Sequence, residues 1–252
     1  TKQQDQQKVT VCTAADLSVS KTASGSFDRA YAWTIDKSVK DPSSVTVPVG
    51  SKGSFDYSVK VDQAGITDSG WKVTGKITVS NPNDFQAITA DVTDAVDNGG
   101  SCVVTGGAAV SIPASGSKVL DYSCSFTSAT ATTSGKNTAT ATWDKDAAKT
   151  PNGSASGSAD FDFASATPGI VNGSITVVDD KTDPANPVQL GTASYTEVMP
   201  KEFTYSLDLP GVAGTCTKYT NIDTYEAEYR MLIEAIVSLF KGNLGSILKA
   251  VR

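Results

Sequence analysis

Lys37, Asp94 and Asn137 stand out as the residues whose types and placement could do chemistry. Each falls in the inward phase of a strand-like pattern that is otherwise apolar: Trp33-Ile35-Lys37, Ile88-Ala90-Val92-Asp94-Val96, and Asn137-Ala139-Ala141-Trp143. Burying such groups singly costs several kcal/mol each, on the order of 2–7 for an unpaired polar group. Placed together they can satisfy one another, either as a plain hydrogen-bonded cluster or as the parts of a self-formed Lys–Asn isopeptide bond. In the second case a desolvated amine is the nucleophile and a neighbouring acid polarises the amide and moves protons. Lys37 would attack the Asn137 carbonyl, Asp94 would shuttle the proton, and ammonia would leave. Lys21 is a rival nucleophile, in phase with Leu17 and Val19. A weaker second set comprises Asp179, Lys201 and Asn221 and is not favoured.

The four cysteines offer a different chemistry. They show no C-x-x-C spacing, so zinc or redox function is a weak reading. Cys102 and Cys124 flank a segment containing Gly106-Gly107 and Pro113. A bridge there would close a loop of about 20 residues, worth roughly 3 kcal/mol in the chain-entropy model. Cys12 and Cys216 then pair by elimination. Two structural disulfides imply an oxidising compartment.

The sequence has no histidine, which removes a Ser-His-Asp triad and any histidine-bearing metal site. The acidic loop from Asp179 to Asn186 lacks the ligand pattern of a calcium site. No metal and no cofactor are expected, and nothing organises a reaction on an external substrate. The net charge of -6 argues against nucleic acid, which demands a basic footprint.

The elements that must position these residues are strands. Charged residues make up only 19% of the 252 residues, and Ser, Thr, Ala, Val and Gly dominate. Period-2 alternation runs through 31–37, 55–61, 71–79, 88–96, 137–143, 175–179 and 203–209. That pattern marks half-buried antiparallel strands. Turn signals such as Asn81-Pro82-Asn83 and Asn98-Gly99-Gly100 punctuate it at the spacing of a β-sandwich. The fold class expected is all-β: two immunoglobulin-like β-sandwich units with a short C-terminal helical segment. A Ser/Gly-rich stretch at 150–158 places the boundary, giving a sandwich over 13–150 and a second, incomplete one over 151–221. Residues 222–252 carry Leu232, Ile236, Leu239 and Phe240 at helical spacing. The apolar run there is too short to span a bilayer, and its polar face is not basic enough to favour membrane contact.

The phrases Asp16-Leu17-Ser18-Val19-Ser20-Lys21-Thr22, Val92-Thr93-Asp94-Ala95-Val96 and Asn137-Thr138-Ala139-Thr140 resemble the conserved-repeat immunoglobulin-like domain of bacterial and archaeal cell-surface proteins. Thr34-Ile35-Asp36-Lys37-Ser38 echoes the first of them. The resemblance covers roughly residues 10–221. It implies secretion, surface display, and a stalk or adhesive role, and it supplies no catalytic residues. Lys–Asn crosslinks in related adhesin and pilin folds favour the Lys37–Asn137 bond.

Residues 1–12 look like the closing strand of a repeat, with Val9 and Val11 on one face, whereas the second unit looks one strand short. Either this segment folds back onto its own second unit, or it completes a neighbour's. The latter would give a head-to-tail filament, with Cys12–Cys216 as an intersubunit bridge. The function expected is therefore an extracellular structural subunit that self-associates. The alternative is an adhesin module that recognises a glycan or protein through loops at one end of the sandwich, with Trp71 as its only aromatic candidate.

Overall fold

The computed structural model describes residues 3–127 and 134–227. Among these the protein is all-β, apart from a single helical turn, α1 (Lys145–Ala148), capped by the Asp144 carboxylate. The chain forms two compact units, and neither is continuous in sequence. The first comprises residues 1–28 and 69–169, the second 29–68 and 170–252. The boundary expected at 150 therefore does not describe how the chain divides.

The reason lies in two long strands. β1 spans Ser18–Lys21, β2 Ser24–Val39 and β3 Lys52–Ser80. β2 and β3 are far longer than the usual strand of about 5–6 residues, and each contributes one part to each unit. β3 runs on through Asp68-Ser69-Gly70, where Gly70 takes a φ of 64°. Residues 29–68 thus supply the strands that 151–221 alone appeared to lack.

In the first unit, β3 lies between β1 and β7 (Ser117–Ser125), and β7 pairs onward with β5 (Ser101–Val104), the strand that follows β4 (Ile88–Val96). A second sheet runs in the order β6 (Val110–Ile112), β4, β8 (Ser134–Trp143), β9 (Ser154–Asp162). Alternating side chains from both sheets, among them Ile77, Val79, Ile88, Val92, Ile112 and Ala139, form one buried core. Trp71 belongs to that core: it stacks on Phe27 at 4.4 Å and meets the edge of Phe163 at 5.0 Å.

Two glycines let β1 approach closely enough to carry its lysine inward. A side chain at Gly75 of β3 would come within 2.2 Å of the Thr22 carbonyl oxygen. One at Gly157 of β9 would come within 2.3 Å of the Val19 carbonyl oxygen. Neither position has room for a Cβ, so glycine is dictated by the backbone approach itself.

In the second unit, β10 (Gly169–Val171), β2, β3 and β13 (Lys201–Pro210) form one sheet. The other runs β12 (Val188–Ser194), β11 (Ser174–Asp179), β14 (Asp223–Ala227). Tyr31, Trp33, Val59, Val61, Ile175 and Val177 are the centre of its core.

Two expectations about the chain ends change. Residues 223–227 form the strand β14, not the start of a helical segment, because they pair with β11 from Asp179↔Asp223 to Ile175↔Ala227. The rest of the expected helical segment lies outside the described residues. At the other end, residues 3–12 form no strand and are exposed throughout. Val9 and Val11 are 90% and 89% exposed.

Candidate functional site

A lysine, an aspartate and an asparagine are linked by hydrogen bonds in each unit, directly in the first and through a tyrosine hydroxyl in the second.

In the first unit the lysine is Lys21, not Lys37. Leu17, Val19 and Lys21 share the inward face, and Lys21 sits opposite Ile77 of β3. Its ammonium pairs with Asp94 Oδ1, and both side chains are fully enclosed, with 0% exposed. Asp94 lies opposite Ala139, and Asn137 opposite Val96. Asp94 and Asn137 are therefore diagonal neighbours on one face of the β4–β8 pair. Asn137 Nδ2 donates to Asp94 Oδ2 at 2.8 Å. The Asn137 carbonyl oxygen is buried and has no hydrogen-bond partner. A buried amide oxygen left unpaired costs about 1–3 kcal/mol, so it requires an explanation.

Tyr122 of β7 closes the floor of this site. Lys21 Nζ stands 3.9 Å from its ring centroid, and its hydroxyl donates to the Thr22 carbonyl at 2.7 Å. Burial holds the Lys21 amine below the ordinary lysine value of 10.5, against the opposing hydrogen bond and charge of Asp94. Burial, with the Asp94 charge adding to it, pushes the Tyr122 phenol up. A lysine driven toward neutrality beside a carboxylate is the condition a nucleophilic amine requires.

The expected Cys102–Cys124 bridge is present across the β5–β7 pair, and Cys124 Sγ lies 3.1 Å from Asn137 Nδ2. Asp94 and the two sulfurs form a close cluster. Bridged sulfurs offer no thiolate to a metal, so the cluster is a wall of the site. Cys12 and Cys216 are not bridged to each other: both carry free, exposed thiols.

In the second unit, Lys37 follows Tyr31, Trp33 and Ile35 on the inward face of β2. It donates to Asp179 Oδ2 at 2.8 Å. The Asp179 side chain is 0% exposed and that of Lys37 11%. Lys37 therefore belongs with Asp179 and not with Asp94 and Asn137, because the part of β2 that carries it lies in the other unit. Tyr205 of β13 donates to Asp179 Oδ2 at 2.7 Å and accepts from Asn221 Nδ2 at 2.7 Å. Burial first, and the Asp179 hydrogen bond next, push the Tyr205 phenol up. Lys201, the lysine expected in this set, instead pairs with Glu197 at 2.9 Å on the surface.

The neighbouring acidic residue Asp180 is also buried, and its Oδ1 accepts from the backbone N–H groups of Thr182 and Ile222 at 3.0 and 2.8 Å. Those two bonds hold the turn after β11.

No protein-family model matches the chain, and no curated protein matches it in sequence. Its reading rests on its own geometry.

Proposed function

We propose that this protein is an extracellular structural subunit, a stalk repeat or filament protomer of immunoglobulin-like sandwich units, whose first unit is braced by an isopeptide bond between Lys21 and Asn137. The observation that carries the proposal is the sealed Lys21–Asp94–Asn137 set with its unpaired asparagine carbonyl oxygen. A buried ion pair is a weak means of stabilisation, whereas a covalent brace across a core resists forced opening.

The chemistry balances without any co-reactant. A proton passes from Lys21 Nζ to Asp94, leaving a neutral amine and a neutral acid in a dry site. The amine attacks Asn137 Cγ while the acid stays hydrogen-bonded to the asparagine Nδ2. Asp94 then gives its proton to Nδ2, the Cγ–Nδ2 bond breaks and ammonia leaves, and the second proton of the newly attached Nζ passes to Asp94, which ends protonated. A Lys21–Asn137 amide remains. Asp94 contacts both reacting nitrogens, which qualifies it as the catalytic residue.

Assembly through the N-terminal segment fits the exposed, unpaired residues 3–12. An extended segment with Val9 and Val11 on one face can add to an open sheet edge of a second copy, and among the described residues β14 is such an edge in the order β12-β11-β14. The exposed Cys12 and Cys216 thiols are then available for an intersubunit bridge in an oxidising exterior. The adhesin reading loses its aromatic candidate, since Trp71 packs between Phe27 and Phe163.

Negative-stain microscopy and non-reducing electrophoresis of the purified chain test the assembly. Filaments and a disulfide ladder that collapses on deleting residues 3–12 are expected. Monomers alone at high concentration would overturn it.

A further inference from the structure

The geometry points to a second isopeptide bond, between Lys37 and Asn221, formed autocatalytically by Asp179 in the second unit. It uses the chemistry proposed for Lys21 and Asn137 but stands on separate residues, and either bond could form without the other.

The two sites share a strand register. In the first unit, Asp94 lies opposite Ala139, and the asparagine stands two residues before that partner. In the second unit, Asp179 lies opposite Asp223, and Asn221 again stands two residues before the partner. The ladder continues past the last paired residues, since the Asp180 N–H donates to the Ile222 carbonyl at 2.9 Å. Side chains two apart on a strand share a face. Asn221 is therefore placed diagonally from Asp179 as Asn137 is from Asp94.

The two lysines also have matching origins. Lys21 ends the pattern Leu17-Ser18-Val19-Ser20-Lys21 on the strand that opens the first unit. Lys37 ends Trp33-Thr34-Ile35-Asp36-Lys37 on the strand that opens the second. Each lysine reaches an aspartate on the opposite sheet, to which it donates a hydrogen bond. A tyrosine from the neighbour of β3 completes each set: Tyr122 opposite Gly75, Tyr205 opposite Tyr57.

Both asparagines keep an unspent acceptor. Asn221 Oδ1 is buried without a hydrogen-bond partner, as Asn137 Oδ1 is. Its amide nitrogen is hydrogen-bonded through the Tyr205 hydroxyl to Asp179. The carboxylate is in turn fixed by the Lys181 N–H, which donates to Oδ1 at 2.8 Å. Oδ2 is left to face the amine of Lys37 and the hydroxyl of Tyr205.

The reaction has the same balance. Lys37 Nζ gives a proton to Asp179, attacks Asn221 Cγ and forms the new C–N bond. The Cγ–Nδ2 bond breaks as the proton held by Asp179 passes through the Tyr205 hydroxyl to the departing nitrogen, and the second proton of the newly attached Nζ passes to Asp179, which ends protonated. One ammonia leaves, and no oxidant, metal or cofactor enters. Asp179 contacts the nucleophilic nitrogen directly. Tyr205 contacts the leaving nitrogen and serves as the proton conduit.

Intact mass of the reduced full-length chain, followed by proteolytic peptide mapping, decides the matter. The expected result is a deficit of two ammonia molecules, with branched peptides joining Lys21 to Asn137 and Lys37 to Asn221. A deficit of one ammonia confined to Lys21–Asn137 overturns the second bond and leaves the first. A deficit confined to Lys37–Asn221 supports the second bond and overturns the first. No deficit overturns both. Lys37→Arg and Asn221→Ala should each restore one ammonia and abolish only the Lys37–Asn221 peptide. If either variant fails to fold, the map of the unsubstituted chain still gives the answer.

Discussion

In the first unit the asparagine amide touches the aspartate directly; in the second a tyrosine hydroxyl stands between them. Asn137 Nδ2 reaches Asp94 Oδ2 at 2.8 Å, whereas Asn221 reaches Asp179 only through Tyr205. The first lysine is sealed and the second keeps 11% of its side chain in contact with solvent. The same strand register thus supports two wirings. What differs is where the tyrosine hydroxyl points: Tyr122 turns its hydroxyl to the Thr22 carbonyl and offers its ring face to the lysine, while Tyr205 places its hydroxyl inside the relay. A dry site depends wholly on its aspartate, whereas a site with a bridging hydroxyl and some water has a second route for the proton.

The largest expected effect therefore comes from the two aspartates. Asp94→Ala strands a buried lysine, which costs about 3–5 kcal/mol when one partner of a buried pair is removed. It also prevents closure of a loop whose covalent analogue, at roughly 100 residues, is worth about 4.7 kcal/mol in the chain-entropy model. The denaturation midpoint should fall sharply and the mass should rise by one ammonia. Asp179→Ala should lower the midpoint less, because the Lys37 head can turn to solvent. Equal losses would break the contrast between a sealed and a vented site.

The disulfide comes next. Replacing Cys102 and Cys124 with alanine should cost about 3 kcal/mol, the value for a loop of roughly 20 residues. It also removes the sulfur that touches the Asn137 amide. The yield of the Lys21–Asn137 peptide should drop while that of Lys37–Asn221 stays constant. A matching drop in both would mean that the disulfide acts on folding as a whole and not on one site.

The inward phase of these residues was legible from alternation alone. Asp94, Asn137 and Asp179 all face a core as the period-2 pattern requires, and so do both lysines. The partnership of the lysines was not legible. Lys37 is nearer in sequence to the strands of the first unit than to Asp179, and a boundary at 150 gave it to them. Strand pairing across sheets is a long-range property that periodicity does not encode. One signal did point the right way. Alternation resumes on both sides of Asp68-Ser69-Gly70, as it would in a single strand that serves both units. The motif apolar-x-apolar-x-Lys also occurs twice, at Lys21 and Lys37, which allots one lysine to each unit. Lys201 shares the inward phase of Phe203 by alternation, yet it is claimed by Glu197 four residues before it in the chain.

The tyrosines test the wiring more finely. Tyr205→Phe removes one hydroxyl that makes two hydrogen bonds, to Asp179 and from Asn221. The cost expected is about 1–3 kcal/mol, the penalty for leaving buried partners unpaired. It should also slow crosslinking of Lys37 with Asn221, seen as unlinked peptide in freshly made protein. Tyr122→Phe removes a single bond to a backbone carbonyl, costs about 1 kcal/mol, and should leave the Lys21–Asn137 yield intact because the ring face remains. If Tyr122→Phe blocks the first bond, its hydroxyl does more than anchor β1.

The smallest effect is the pH signature of the sealed lysine. Asn137→Ala leaves the Lys21 amine free. Burial holds that amine below 10.5 in the folded chain, so the unfolded chain binds its proton more tightly. Between the folded value and 10.5 the unfolded state carries the extra proton, and stability rises with pH. The burial penalty is fully present below the folded value and gone above the unfolded one. Other groups titrate as well, so the measurement compares Asn137→Ala with Asn137→Ala/Lys21→Met across alkaline pH. The unfolding free energy of the first should climb relative to the second through that window. A flat or falling difference would mean that the Asp94 charge outweighs desolvation at Lys21. Burial would then not favour the neutral amine, and the proton transfer to Asp94 that opens the reaction would lose its driving force.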